Sequence, residues 1–321
     1  MNGSLIQIKN EGINPQKGGI METGTFLKLM KLIFASSVVG LVLILALFEE
    51  AWADGIKYDS VSVGAEYGSG ERDMKIDGGS QSFTFGGSTT SDVYPSAGDS
   101  VKGVKAKEQS LLVKGSVKLE KGEKYADIYA KAGIAKLSYS YTFSTPGSAD
   151  EKDEFVGDNG FAWGVGFSGK VAEIKKVGLL IDAEYSAYDL KGEYKIDGES
   201  ISDAVIKSAK NAGYTTVTGS YSTSTKVSEW HAGLTATTTM GIFTPFAGIR
   251  YSDMNISNTL SISGTANGIA YSGTGTEKFK ADKNVGVVVG TGVSLSKSLS
   301  VNVKANLIDE TSGRVGVNYS F

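Results

Sequence analysis

The chain contains no cysteine, one histidine and four prolines in 321 residues. Without cysteine there is no disulfide scaffold, no thiolate metal site and no lipid-modified amino-terminal cysteine. A single histidine, His231, excludes a His-rich metal centre, and no cofactor is expected. Net charge is only −3, so no strongly basic surface marks a nucleic-acid partner. From residue 54 onward no apolar run has the length a helix needs to cross a bilayer. What remains plentiful is glycine, 42 residues, together with serine, threonine, tyrosine and valine, a bias toward strands joined by many turns.

The first 53 residues differ from the rest. Lys28 and Lys31 precede an apolar run from Leu32 to Phe48, and Ala51-Trp52-Ala53 then precedes Asp54. A charged segment, an apolar segment and an A-x-A site make a secretory signal peptide, with cleavage expected after Ala53. The competing reading, an uncleaved anchor helix, has to contend with a run near the lower length limit for spanning. Residues 1–29 read as an upstream extension, 30–53 as the signal peptide, and 54–321 as one domain.

Within that domain, ten segments alternate apolar residues with small or polar ones. Val61, Val63, Ala65 and Tyr67 interleave with Ser62, Gly64, Glu66 and Gly68. Phe161, Trp163, Val165 and Phe167 interleave with Ala162, Gly164, Gly166 and Ser168. Trp230, Ala232 and Leu234 face away from Glu229, His231 and Gly233, and Val315, Val317, Tyr319 and Phe321 from Arg314, Gly316, Asn318 and Ser320. In a membrane barrel the apolar row faces lipid and the other faces the lumen, because every backbone group must be paired in a closed sheet. Connections alternate too: short ones at 120–124, 171–176, 241–244 and 296–298, long ones at about 71–106, 144–159, 192–225 and 253–278, with a brief last one at Asp309–Gly313. The fold class is therefore all-β: a transmembrane antiparallel up-and-down barrel of about ten strands (eight or twelve as alternatives), with short periplasmic turns and long extracellular loops. Two local expectations follow. The apolar row changes parity near Ala135, which predicts either a β-bulge turning Leu137, Tyr139, Tyr141 and Phe143 outward or a strand running above the membrane. The third long loop holds either a helix capped by Ser202 and closed by Gly213, or a polar loop.

The last residues, RVGVNYSF, resemble the carboxy-terminal signature of bacterial outer-membrane β-barrel proteins, the class of the small OmpA-, opacity- and omptin-like barrels. Phe321, Tyr319, Val317 and Val315 carry the match. The resemblance implies that the barrel-assembly machinery reads Tyr319 and Phe321, and that the surroundings are outer-membrane lipid and lipopolysaccharide of a Gram-negative-type envelope. It names a class and no activity.

Chemistry is sparse. Glu66, Asp127, Asp182 and Glu184 share the inward rows with Lys114, Lys118, Lys131, Arg250, Lys304 and Arg314. In so narrow a barrel these charges should pair and fill the lumen, since unpaired buried charges are costly; the alternative is a narrow, porin-like polar passage. His231 and Glu229 point to the same face and form a weak candidate for a catalytic base, set toward the extracellular half of its strand. Omptin proteases, which are ten-stranded barrels, place an Asp two residues before a His and oppose it with an acidic pair; Glu229 has that spacing, but Glu66 stands alone in the first two strands. The expected role is structural or surface-binding through the loops, as in an adhesin or an envelope-integrity protein, toward an unknown extracellular ligand. A small-solute channel and an omptin-like protease or lipid-modifying enzyme are the alternatives.

Overall fold

The computed structural model describes residues 57–121 and 124–321; the expected extension, signal peptide and its Ala51 and Ala53 lie outside the described residues. Fifteen strands form one antiparallel sheet: β1 (Lys57–Phe85), β2 (Ser88–Val93), β3 (Ser100–Lys121), β4 (Lys124–Ser144), β5 (Glu151–Gly157), β6 (Gly160–Ile174), β7 (Val177–Leu190), β8 (Gly192–Ile196), β9 (Glu199–Ser200), β10 (Val217–Thr237), β11 (Phe243–Ala266), β12 (Ile269–Ala281), β13 (Val285–Ser294), β14 (Leu299–Leu307) and β15 (Thr311–Ser320). Among the described residues one helix, α1 (Ile201–Asn211), joins β9 to β10.

Ten of these strands close a ring in the order β1-β3-β4-β6-β7-β10-β11-β13-β14-β15. The closing seam is the lower half of β1, which pairs with β3 on one edge and β15 on the other: Ala65 faces Val113 and Val317. Closure leaves no free edge in the membrane, as lipid requires. The outward rows form an apolar belt with Tyr67, Leu111, Trp163, Tyr185, Trp230 and Tyr251 along its upper margin. The Trp230 and Tyr251 rings sit 5.0 Å apart and those of Trp163 and Tyr185 5.6 Å apart, an aromatic girdle at the interface. Tyr319 and Phe321, rings 4.9 Å apart, face outward at the opposite margin.

Above the belt the strands continue. The segments expected to be long loops are mostly β-structure that raises a crown over the barrel. Beyond Glu71, β1 leaves β15 and pairs with β12, Met74 opposite Ala281, while the far edge of β12 pairs with β11. That hairpin bridges over the short strands β13, β14 and β15. On the other side β5 and β8 extend the sheet from β4.

Of the two alternatives at Ala135 the bulge is absent, and the strand runs on above the membrane belt. β3 and β4 pair without a shift from Lys105/Ser140 down to Lys121/Lys124, and Leu137, Tyr139 and Tyr141 point inward, at most 2% exposed. The environment changes, not the strand. In lipid the apolar row faces out; above it water lies outside, so the apolar row faces in. The same inversion occurs on the neighbouring strands: outward Tyr67 is followed by inward Met74, Trp230 by Val227 and Tyr251 by Met254. Leu137, Phe155, Tyr188, Leu190, Ile256 and Phe279 build the resulting crown core, each large side chain contributing about 1.5–3 kcal/mol on burial.

The helix begins earlier than its sequence suggests. Ser200, not Ser202, is the cap; its Oγ accepts from the Asp203 N–H at 3.2 Å. Gly213, at φ +94°, closes the other end.

Candidate functional site in the barrel lumen

The inward rows place polar chemistry in three tiers. The lowest opens toward the periplasmic turns as a chamber of about 470 Å³, whose wall includes Thr237, Thr244, Ser294 and Ser300 beside those turns. In its roof Lys131 Nζ lies 2.7 Å from Glu184 and 3.1 Å from Glu66. Arg314 reaches the same two carboxylates at 3.8 and 3.5 Å, and the Tyr129 hydroxyl donates to Glu184 at 2.9 Å. Lys114 pairs with Asp127 at 3.2 Å. Lys118 sits at the mouth, bonded to Asp59 and Glu120 at 2.9 and 2.7 Å, where water weakens both contacts.

His231 also lines this chamber. β10 descends from Val217 to Thr237, so His231 lies in the periplasmic half of its strand, not the extracellular half. Its Nε2 stands 3.3 Å from Asp182, across β7, not from Glu229. Gly233 opposes Asp182, and a Cβ there would lie 2.5 Å from the carboxylate oxygen, so only glycine leaves that carboxylate its place. The expected His231–Glu229 pair does not form.

The middle tier is a buried knot of five charges. Arg72 donates to Glu229 at 2.8 Å and Glu310 at 2.6 Å. Arg250 reaches Asp309 at 2.9 Å, Glu310 at 3.1 Å and Glu229 at 3.4 Å. Ser252 donates to Asp309 at 2.6 Å and Asn306 to Glu310 at 2.8 Å. Arg72 and Arg250 are 3–4% exposed, so the knot lies across the lumen away from water. Arg72, Asp309 and Glu310 escape a reading that ends the first strand near residue 70 and leaves 309–313 a surface turn. Extending the Glu66, Gly68, Gly70 row by one step would have found Arg72. No pattern announces Asp309, which folds in over Gly286, where a Cβ would meet its carboxylate at 1.8 Å.

The upper tier is the crown core. Glu277, on β12, accepts from the hydroxyls of Tyr141 at 2.6 Å, Tyr194 at 2.9 Å and Tyr139 at 3.3 Å. Asp153, buried on β5, faces the same cluster. Burial raises its carboxyl to about 7; the tyrosine hydroxyls oppose the shift and Glu277 adds to it. Burial likewise raises Glu277, against the hydrogen bonds from its tyrosines.

Of the ten predicted lumen charges, Glu66, Lys131, Glu184 and Arg314 form one cluster, Lys114 and Asp127 a pair, and Arg250 joins the knot. Asp182 takes His231. Lys304 differs: among the described residues no carboxylate lies within ion-pair distance of it, and its cross-strand neighbours are Arg314 and Gly290. No group of side chains suited to hold a metal occurs among the described residues.

A closed ring, an apolar belt with its aromatic margin and a polar interior decide the class. The fold is that of a bacterial outer-membrane β-barrel. No family model matches the chain, and no curated protein matches it. Among solved structures it is similar to the outer membrane protease OmpT from Escherichia coli, at 11% identity over 83% of this chain and 98% of that one, TM-score 0.40. The outer membrane protein OprG from Pseudomonas aeruginosa matches at 8% identity over 83% and 97%, TM-score 0.35. The transport unit of the autotransporter AIDA-I from Escherichia coli matches at 12% identity over 82% and 91%, TM-score 0.39. Likeness at this level assigns no activity.

Proposed function

We propose that this protein is a non-conducting barrel of the outer membrane whose crown serves a structural or surface-binding role, in adhesion or envelope integrity. The observation that carries the reading is the double closure of the lumen. An ion entering from outside meets the apolar crown core around Leu137, Phe155 and Phe279, and beneath it the Arg72–Arg250 knot. Passage would require breaking buried ion pairs in a low-dielectric space, and leaving one partner of such a pair uncompensated costs about 3–5 kcal/mol. Binding then falls to the crown. Its strands hold a shallow cup of about 460 Å³ lined by Phe83, Thr90, Asp92, Leu260 and Gly273, in the same inward rows as Ile256 and Phe279. A surface carried on strands is rigid, which lowers the ordering cost of recognition. Conductance of the refolded protein in a planar bilayer tests the reading: no stable openings are expected, and reproducible openings at moderate voltage would overturn it.

A further inference from the structure

The periplasmic chamber contains an imbalance that the rest of the lumen avoids. Lys131 and Arg314 share Glu66 and Glu184, Lys114 has Asp127, and Arg250 has three carboxylates above. His231 occupies Asp182. Lys304 lines the same chamber and has no carboxylate within 4 Å among the described residues. Its nearest charged cross-strand partner is another cation, Arg314.

An ammonium group half-buried in a narrow protein-walled chamber, with no ion-pair partner in contact, favours a counter-charge beside it. Glu66 and Glu184, shared by Lys131 and Arg314, and Asp182, held by His231, act on Lys304 only from beyond ion-pair distance. Asn302 on the same inward row of β14, Thr235 and Thr244 offer hydrogen-bonding groups around the space. Gly290 and Gly292, facing Lys304 and Asn302 on β13, put no side chain into the chamber. At about 470 Å³ the chamber has the size of a small-molecule site. Entry is from the periplasm, because the knot and the crown close the other end.

We propose that the periplasmic chamber binds a small oxyanion, a carboxylate or phosphate group, through the Lys304 ammonium. The shared chemistry is a compact negative group that accepts from an ammonium and from amide and hydroxyl donors. The site is blind: its ligand enters and leaves on the periplasmic side. This inference does not depend on what the crown binds.

The test uses the refolded barrel in non-ionic detergent, titrated calorimetrically with inorganic phosphate and, separately, with succinate. Saturable binding of at least one is expected, with a Kd of about 1 mM or tighter; the arm that binds distinguishes phosphate from carboxylate. Lys304→Met, which keeps the stem and removes the charge, is expected to weaken that binding at least tenfold, while Lys118→Met at the mouth leaves it unchanged. Absence of saturable binding in both arms, or equal binding by Lys304→Met, would overturn the proposal. Should Lys304→Met fail to refold, the unaltered protein gives the answer through acylation of its lysines followed by mass spectrometry. The anion should slow labelling of Lys304 and not of Lys118, and equal labelling with and without it would overturn the site.

Discussion

Arg72 shows how one residue can tie two levels of this molecule together. It stands where β1 leaves the belt and enters the crown, and its guanidinium bridges Glu229 on β10 and Glu310 after β14. Arg72→Ala would leave those buried carboxylates with Arg250 alone, so a loss of about 3–5 kcal/mol is expected. The urea unfolding midpoint of the refolded protein measures it; a change under about 1 kcal/mol, the level of a surface pair, would contradict the burial assigned to the knot. The lumen charges themselves were legible, because residues two apart on a strand share a face. Glu66, Lys131, Glu184 and Arg314 follow from counting alone. Asp309 and Glu310 do not, since a turn has no period, and neither does the partner of His231, since cross-strand register is not written in one strand.

Among the elements, the crown is where counting misleads. Leu137, Tyr139 and Tyr141 form an apolar row, and inside a membrane such a row faces lipid. Above it the same row faces a core, so an unbroken strand imitates a bulge. Reading the two regimes apart requires locating the interface, which the outward Tyr67, Trp230 and Tyr251 mark and the outward Lys107, Lys136 and Lys226 beyond them confirm. The crown also has its own pH response. A carboxyl whose folded pKa lies near 7 binds its proton more tightly in the folded state, so the stability it supports is greatest at acidic pH and declines as pH rises through about 7. The groups facing Asp153 are Glu277 from β12, Tyr141 from β4 and Tyr194 from β8, with Glu151 on its own strand. Protection factors of the β5 and β8 amides, taken against the intrinsic exchange rate at each pH, should be larger at pH 5 than at pH 8.5, and Asp153→Asn should flatten the difference. Equal or lower protection at the acidic pH would contradict the assignment.

As a whole molecule, the protein is a ring of ten strands with a filled middle. Ring closure through β1 and β15 predicts heat-modifiable gel mobility: unboiled protein in detergent should run as a compact band and boiled protein as a slower, unfolded one. Identical mobility would be incompatible with the closed barrel. The strand number and the two-sided pattern of rows were readable because the membrane enforces both. The closure of the lumen was readable only as an expectation, since pairing depends on which side chains meet across the ring. Single-channel recording of the refolded protein tests that closure most directly. The knot and the crown core together predict a silent membrane at moderate voltage, and stable, reproducible openings would contradict the account.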